Sequence, residues 1–159
     1  MTGEAKLSPE EEEKKFSFHS FGAHCVEVGW DPGIAKLRVR RMVTAVDAGQ
    51  IINRKTAENQ VLGSLMMGLG MALQEHAVYD GRSGRVVTDN LADYHMPVHA
   101  DLPGLEVALL NVPDPHTGEF GAKGIGEIGI TGVAAAIANA VYHATGKRIR
   151  ALPITVEKL

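Results

Sequence analysis

The chain of 159 residues is poorest in cysteine, with Cys25 alone, and in aromatic residues, at 5%. A single cysteine excludes an intrachain disulfide framework, a cysteine zinc cluster and a cysteine-ligated iron–sulfur cluster within this chain. It also points to a reducing compartment. An excess of charge of one sign is missing too: 16 Lys and Arg against 19 Asp and Glu leave a net charge of -3. The pI near 6.1 leaves no electrostatic footprint for a nucleic acid. No apolar run reaches the ~20 residues needed to cross a bilayer. The polar, acidic start, MTGEAKLSPEEEEKK, lacks the basic and apolar regions of a secretory signal. A cytoplasmic protein without a membrane partner is therefore expected. What the chain has in excess is glycine, 18 residues, and a glycine-rich, aromatic-poor chain sets backbone against backbone or against a ligand.

With 45% hydrophobic and 22% charged residues the composition is that of a globular domain, and the length supports one real core. Residues 1–17 read as an acidic flexible arm, because Glu10 to Glu13 and then Lys14 and Lys15 offer almost nothing to bury. Residues 18–159 read as one unit of the α/β class (α+β), with strands and helices intermixed. Two alternating stretches around Asp31-Pro32-Gly33 predict an antiparallel hairpin, in which Cys25 packs as a small buried hydrophobe. Asn53 is a natural N-cap for a helix running from Arg54 to about Val78, with Val61, Leu65, Leu69 and Leu73 on one face and Met66, Met67 and Met71 as core filler. Gly63, Gly68 and Gly70 inside that helix call for a close neighbour, since each costs about 0.5–1 kcal/mol relative to Ala. Leu105 to Val112 predicts a short strand ending at Pro113, and a last helix runs from about Thr131 to a stop at Gly146. Ile149 to Val156 would add a final strand.

Chemistry concentrates in Gly121-Ala122-Lys123-Gly124-Ile125-Gly126-Glu127-Ile128-Gly129, which leads into a helix start. A backbone this bare exposes N–H groups and suits an anionic cofactor; a tight loop that simply needs glycine is the alternative. Gly124 to Gly129 also spells G-x-G-x-x-G, yet no apolar strand precedes it, and Arg148 and Arg150 stand where an acid would be needed. A dinucleotide site is not expected. Glu127 is either a capping anion or a general base aimed into a pocket. His95 and His99 have a helical ligand spacing, but Pro97 between them argues against a regular helix and hence against a metal site. No G-x-S-x-G elbow is present, so hydrolase chemistry has no positive sign.

Taken in order, SFGAHCVEVGWD (20–31), VDAGQIINRKTAENQVLGSLMMGLGMALQE (46–75), NLADYHMPVHADLPGLEV (90–107) and GAKGIGEIGITGVAAAIANAVYHATGKRIRALPIT (121–155) resemble the C-terminal segment of the molybdopterin-binding (molybdenum) subunit of the xanthine dehydrogenase and aldehyde oxidase family. The resemblance covers about residues 18–157. It implies one part of that family's molybdopterin-binding domain, with Glu127 as the catalytic base and Gln60 as a contact to the pterin. It further implies Ala122, Lys123, Gly124 and Gly126 as cofactor-lining residues, and the glycines of both segments as room for the molybdopterin. The chemistry implied is oxidation of an aldehyde or N-heterocycle: Glu127 deprotonates a molybdenum-bound hydroxyl, the oxygen attacks an electron-poor carbon, and hydride passes to Mo=S. Iron–sulfur clusters and FAD are implied on partner subunits, and the remainder of the molybdenum subunit as the part that completes the site.

Three departures from the family pattern stand out. Met67 occupies the place of a second glutamine, Leu62 that of an acid, and Ile128-Gly129 that of Pro-Pro. Family molybdenum subunits are also several times longer, so two readings follow. The chain is a fragment or split subunit that binds cofactor only with the rest of the subunit, or it is a non-catalytic packing module that is free to self-associate.

Overall fold

A computed structural model describes residues 12–159. Its first element is the expected hairpin, β1 (Phe21–Asp31) paired antiparallel with β2 (Lys36–Asp47). The turn is fixed where the Gly33 N–H donates to Asp31 Oδ1 at 2.9 Å. Glu27 pairs with Arg41 and Val28 with Val39, so Arg40 is an extra residue on β2. This bulge changes the phase of the strand: Leu37 and Val39 face inward before it, and Met42, Thr44 and Val46 are buried after it. β3 (Gly104–Leu110) lies parallel to β2, giving the order β1-β2-β3. A parallel neighbour requires a crossover, here supplied by α1 (Arg54–Leu73) and the mostly irregular stretch 74–103.

The Asn53 side chain caps α1 by accepting from the Thr56 N–H at 3.2 Å. After a four-residue α2 (Ile128–Thr131), α3 (Val133–Thr145) packs on β1 and α1 and ends at Gly146 in the left-handed conformation, φ 74°. The main core joins Met42, Leu65, Leu69, Ala72, Val133, Ile137, Val141 and Ile154. A smaller cluster of Val46, Ala48 and Val61 lies with Ile125 and Ile128 against it.

Several expectations are corrected. α1 stops at Leu73, short of Val78, because the Glu75 N–H passes over Met71 O and bonds Gly70 O at 2.8 Å, the carbonyl that already takes the regular Gln74 bond at 2.9 Å. Cys25 is exposed, because His24, Val26 and Val28 take the α3-facing side of β1. Met67 and Met71 are exposed rather than core filler, the first 63% accessible. A Cβ on Gly68 would lie 2.5 Å from Val133 Cβ, and one on Gly70 would lie 2.8 Å from Pro97, so these glycines admit the chain's own packing and not a pterin. Residues 149–156 form no strand; the Ile154 N–H donates to Ala72 O at 2.7 Å, which seats Ile154 in the core.

Ile128–Thr145 comes closest to a membrane span, with 18 residues of mean hydropathy 1.2. It is broken at Gly132, and Val133, Ile137 and Val141 are fully buried in the fold. Residues 1–11 of the expected arm lie outside the described residues. Within its remainder, His116 Nδ1–H donates to Glu12 Oε2 at 2.9 Å, and Phe16 stacks on the same imidazole with 4.0 Å between centroids.

Candidate functional site

Three segments distant in sequence converge beside the smaller apolar cluster. The chain leaving β2 makes an isolated antiparallel bridge with the glycine loop at Gly49 and Ala122. The Gln50 N–H donates to Gly121 O and the Lys123 N–H to Ala48 O, both at 2.8 Å. Gly49 has φ +66°, and a Cβ there would meet Gly121 O at 2.2 Å, so the bridge requires glycine. The first half of α1 supplies the third wall. Between these segments opens a cavity of about 500 Å³ lined by Ala48, Gln50, Ile51, Thr56, Gln60, Ala122, Lys123, Ile125 and Gly126, among others. The exposure of Ile52, Thr56, Gln60 and Gly126 makes it an open cleft.

Gln60, Ala122, Lys123 and Gly126, named from the sequence, thus share one cavity. Gln60 Nε2 donates to Gly126 O at 2.7 Å across 66 residues of sequence. Glu127 follows directly, exposed, at the N-cap of α2 without capping it through its side chain. Gly124 is exposed, does not line the cavity, and its carbonyl accepts from Ser20 Oγ. Lys123 brings no free charge to the wall. Its side chain is 8% accessible, with Nζ 2.8 Å from Asp47 Oδ2 and 3.9 Å from Asp114 Oδ2. The Lys123 hydrogen bond holds the Asp47 carboxyl below the usual carboxylate range, helped by the Gly49 N–H and opposed by burial.

Beneath α2, His24 Nδ1 shares a hydrogen bond with Thr44 Oγ1 at 2.9 Å, and its ring fits only because residue 132 is glycine. Burial pushes the imidazole pKa down, against a smaller upward pull from the Ile128 carbonyl. Nε2 is buried and does not complete a hydrogen bond. Sequence reasoning missed Asp47, Asp114, Ser20 and Gln50 as parts of this junction. Asp47 and Gln50, flanking Ala48-Gly49, and Ser20, opening the 20–31 stretch, lie within the family-like segments, whereas Asp114 lies outside them. Among the described residues no group of three or more His, Cys, Asp or Glu side chains is arranged to hold a metal ion.

A family described as the molybdopterin cofactor-binding domain matches residues 2–103. The chain is 49% identical over 146 residues to the aldehyde oxidoreductase molybdenum-binding subunit PaoC of Escherichia coli, covering 92% of this chain and 20% of that protein. It is 42% identical over 140 residues to a xanthine dehydrogenase molybdenum-binding subunit of the same species, covering 88% and 18%. Among solved structures, quinoline 2-oxidoreductase from Pseudomonas putida 86 superposes with a TM-score of 0.80 at 32% identity, covering 86% of this chain and 18% of that one. Aldehyde oxidoreductase from Desulfovibrio gigas superposes with a TM-score of 0.77 at 33% identity, covering 87% and 15%. The chain spans about a fifth of the length of the curated relatives it matches.

The cleft suits a pterin. Ile51, Ile52 and Ile125 offer apolar contact to a flat ring system, while Gln50, Thr56 and Gln60 offer hydrogen bonds to its polar edges. A Cβ at Gly124 or Gly126 would meet nothing within 4 Å, which leaves this backbone open to close approach.

Proposed function

The chain belongs to the molybdopterin cofactor-binding domain family, and on that premise we propose that it forms one wall of the cofactor site of a molybdenum hydroxylase oxidising an aldehyde or N-heterocycle. The observation that carries this reading is the 2.7 Å bond from Gln60 Nε2 to Gly126 O, which joins the α1 cleft to the residue before Glu127. Gln60, Ala122 and Gly126, which line the cleft, would hold the cofactor, and Gly124, outside the lining, would offer only its exposed backbone. Lys123 contributes to the wall without a free charge. When bound, the molybdenum centre supplies the two-electron acceptor and the activated oxygen. Glu127 takes up a proton at its carboxylate, the role open to an exposed acid on a loop fixed from behind.

The remainder of the molybdenum subunit completes the site in this reading, and iron–sulfur and FAD subunits carry the electrons onward. Support for a covering polypeptide comes from stretch 74–103, where Tyr79, Val87, Leu91, Met96, Val98 and Leu102 are all more than half accessible, Leu91 reaching 81%. Apolar surface of this extent marks an interaction face. The test is to assemble the chain with a polypeptide equivalent to the rest of a relative's subunit and compare Glu127→Gln with wild type. Turnover is expected to fall by about 10²–10⁴ with molybdenum content unchanged. Near-normal turnover would remove Glu127 from this role, and an assembly that never retains molybdenum would favour the packing module.

A further inference from the structure

We propose that Lys123 is a positioning residue whose buried ammonium, clamped by Asp47 and Asp114, fixes the 121–127 loop and so the bearing of Glu127 on the cleft. A lysine ammonium withdrawn from water is tolerated only when paired and hydrogen-bonded. At 8% accessibility, with Asp47 Oδ2 at 2.8 Å and Asp114 Oδ2 at 3.9 Å, Lys123 meets that condition. The two carboxylates are themselves anchored. The second Asp47 oxygen accepts the Gly49 N–H at 3.0 Å, and Asp114 Oδ1 accepts the His116 N–H at 2.9 Å. Phe21 closes another side, its ring centroid 5.5 Å from the ammonium. The cluster therefore ties together the end of β2, the chain beyond β3 and the glycine loop.

Beyond Lys123 the loop is held by Ile125, which packs on the smaller apolar cluster, and by few polar contacts. Residues 123–125 have no regular structure, and neither Gly124 nor Gly126 would bring a Cβ against any neighbour. The Ile130 N–H donates to Glu127 O at 3.1 Å, and two side chains reach the loop, Ser20 Oγ to Gly124 O and Gln60 Nε2 to Gly126 O. Both grip carbonyls that a few rotations of glycine backbone would carry away. Among the described residues, the Lys123 cluster is the loop's only ion pair, and it sits at the loop's root. The proposed function enters this inference only in naming Glu127 as the group positioned.

Hydrogen exchange on the full chain tests it without any turnover measurement, so its failure would leave the Glu127→Gln experiment untouched. In Lys123→Met, the hydrogen-bonded amides at the loop's root (Gly121 to Gly118 O, Lys123 or its replacement to Ala48 O, and Gln50 and Asp114 to Gly121 O) are expected to exchange about tenfold faster or more, while those of α1 and α3 keep wild-type rates. Lys123→Arg, which keeps the charge, is expected to restore slow exchange. Unchanged exchange at these four amides would overturn the proposal. So would equal acceleration throughout the chain, which marks general destabilisation, or a Lys123→Arg variant as fast as Lys123→Met. Should Lys123→Met fail to fold, Asp114→Asn, which leaves the shorter Asp47 contact in place, is read by the same criteria with a smaller expected acceleration.

Discussion

In α1, a Cβ on Gly68 would lie 2.5 Å from Val133 Cβ, whereas in the glycine loop a Cβ on Gly124 or Gly126 would meet nothing within 4 Å. Both stretches are glycine-rich in sequence, and both looked like room for a cofactor. They differ in what fills the room. At Gly68 the space is taken by α3, and the close approach seats Val133 beside Leu65 and Leu69 in the main core. At Gly126 nothing fills it, and the bare backbone faces the cleft. Glycine in a helix between packed elements reports on the fold, while glycine on an open loop reports on what the fold presents.

The largest effect that would break this contrast is at Gly68. Gly68→Ala should lower stability by about 1–3 kcal/mol, read from a urea midpoint, because overpacking against Val133 outweighs the better helix propensity of Ala. An unchanged midpoint would mean that α3 does not rest on Gly68. Next comes the pH dependence of the loop's root. Since Lys123 and the Gly49 N–H hold Asp47 below the usual carboxylate range, its contribution to stability is complete above the unfolded carboxylate value of about 4 and is lost as pH falls through the lower folded value. Asp47→Asn should therefore be less stable than wild type at pH 7, with the difference shrinking as pH falls below about 4. The depressed imidazole of His24 acts in a separate window, its contribution complete above about 6.5 and lost below.

Gly63 lies in the same helix as Gly68 but with nothing within 4 Å of a Cβ. Gly63→Ala should gain about 0.5–1 kcal/mol, from helix propensity alone, in the same urea measurement. The smallest effect is expected at the open end of the comparison. Gly126→Ala should leave chain stability within about 0.5 kcal/mol of wild type, yet reduce the molybdenum retained by the assembled subunit. A variant that keeps full metal content would show that the cofactor does not approach this backbone.

Much of the framework was legible because it follows from local chemistry. The alternating stretches about Asp31-Pro32-Gly33 could form little but a hairpin, Asn53 had the side chain to cap a helix, and Gly146 could take the left-handed conformation that ends one. Local patterning failed where a neighbour from elsewhere decided the outcome. Nothing near Cys25 showed which face of β1 would meet α3. Val78 looked like the next turn of α1, but the Glu75 N–H bonds Gly70 O and not Met71 O. The apolar letters of Ile149 to Val156 suggested a strand, but the backbone partner available there was Ala72.

Residue types at fixed spacing were enough for the hairpin and the principal helices, and the resemblance those residues carry was enough for the family and for the naming of Gln60 and Glu127. It took the packing of distant segments to set that Gln60 grips the carbonyl next to Glu127, that Lys123 is bound inward by Asp47 and Asp114, and that two of the α1 glycines serve packing. Those contacts join residues tens of positions apart. Whether a buried ammonium, a bare carbonyl or a missing Cβ meets a partner is set by which elements pack together, and no local pattern carries that information.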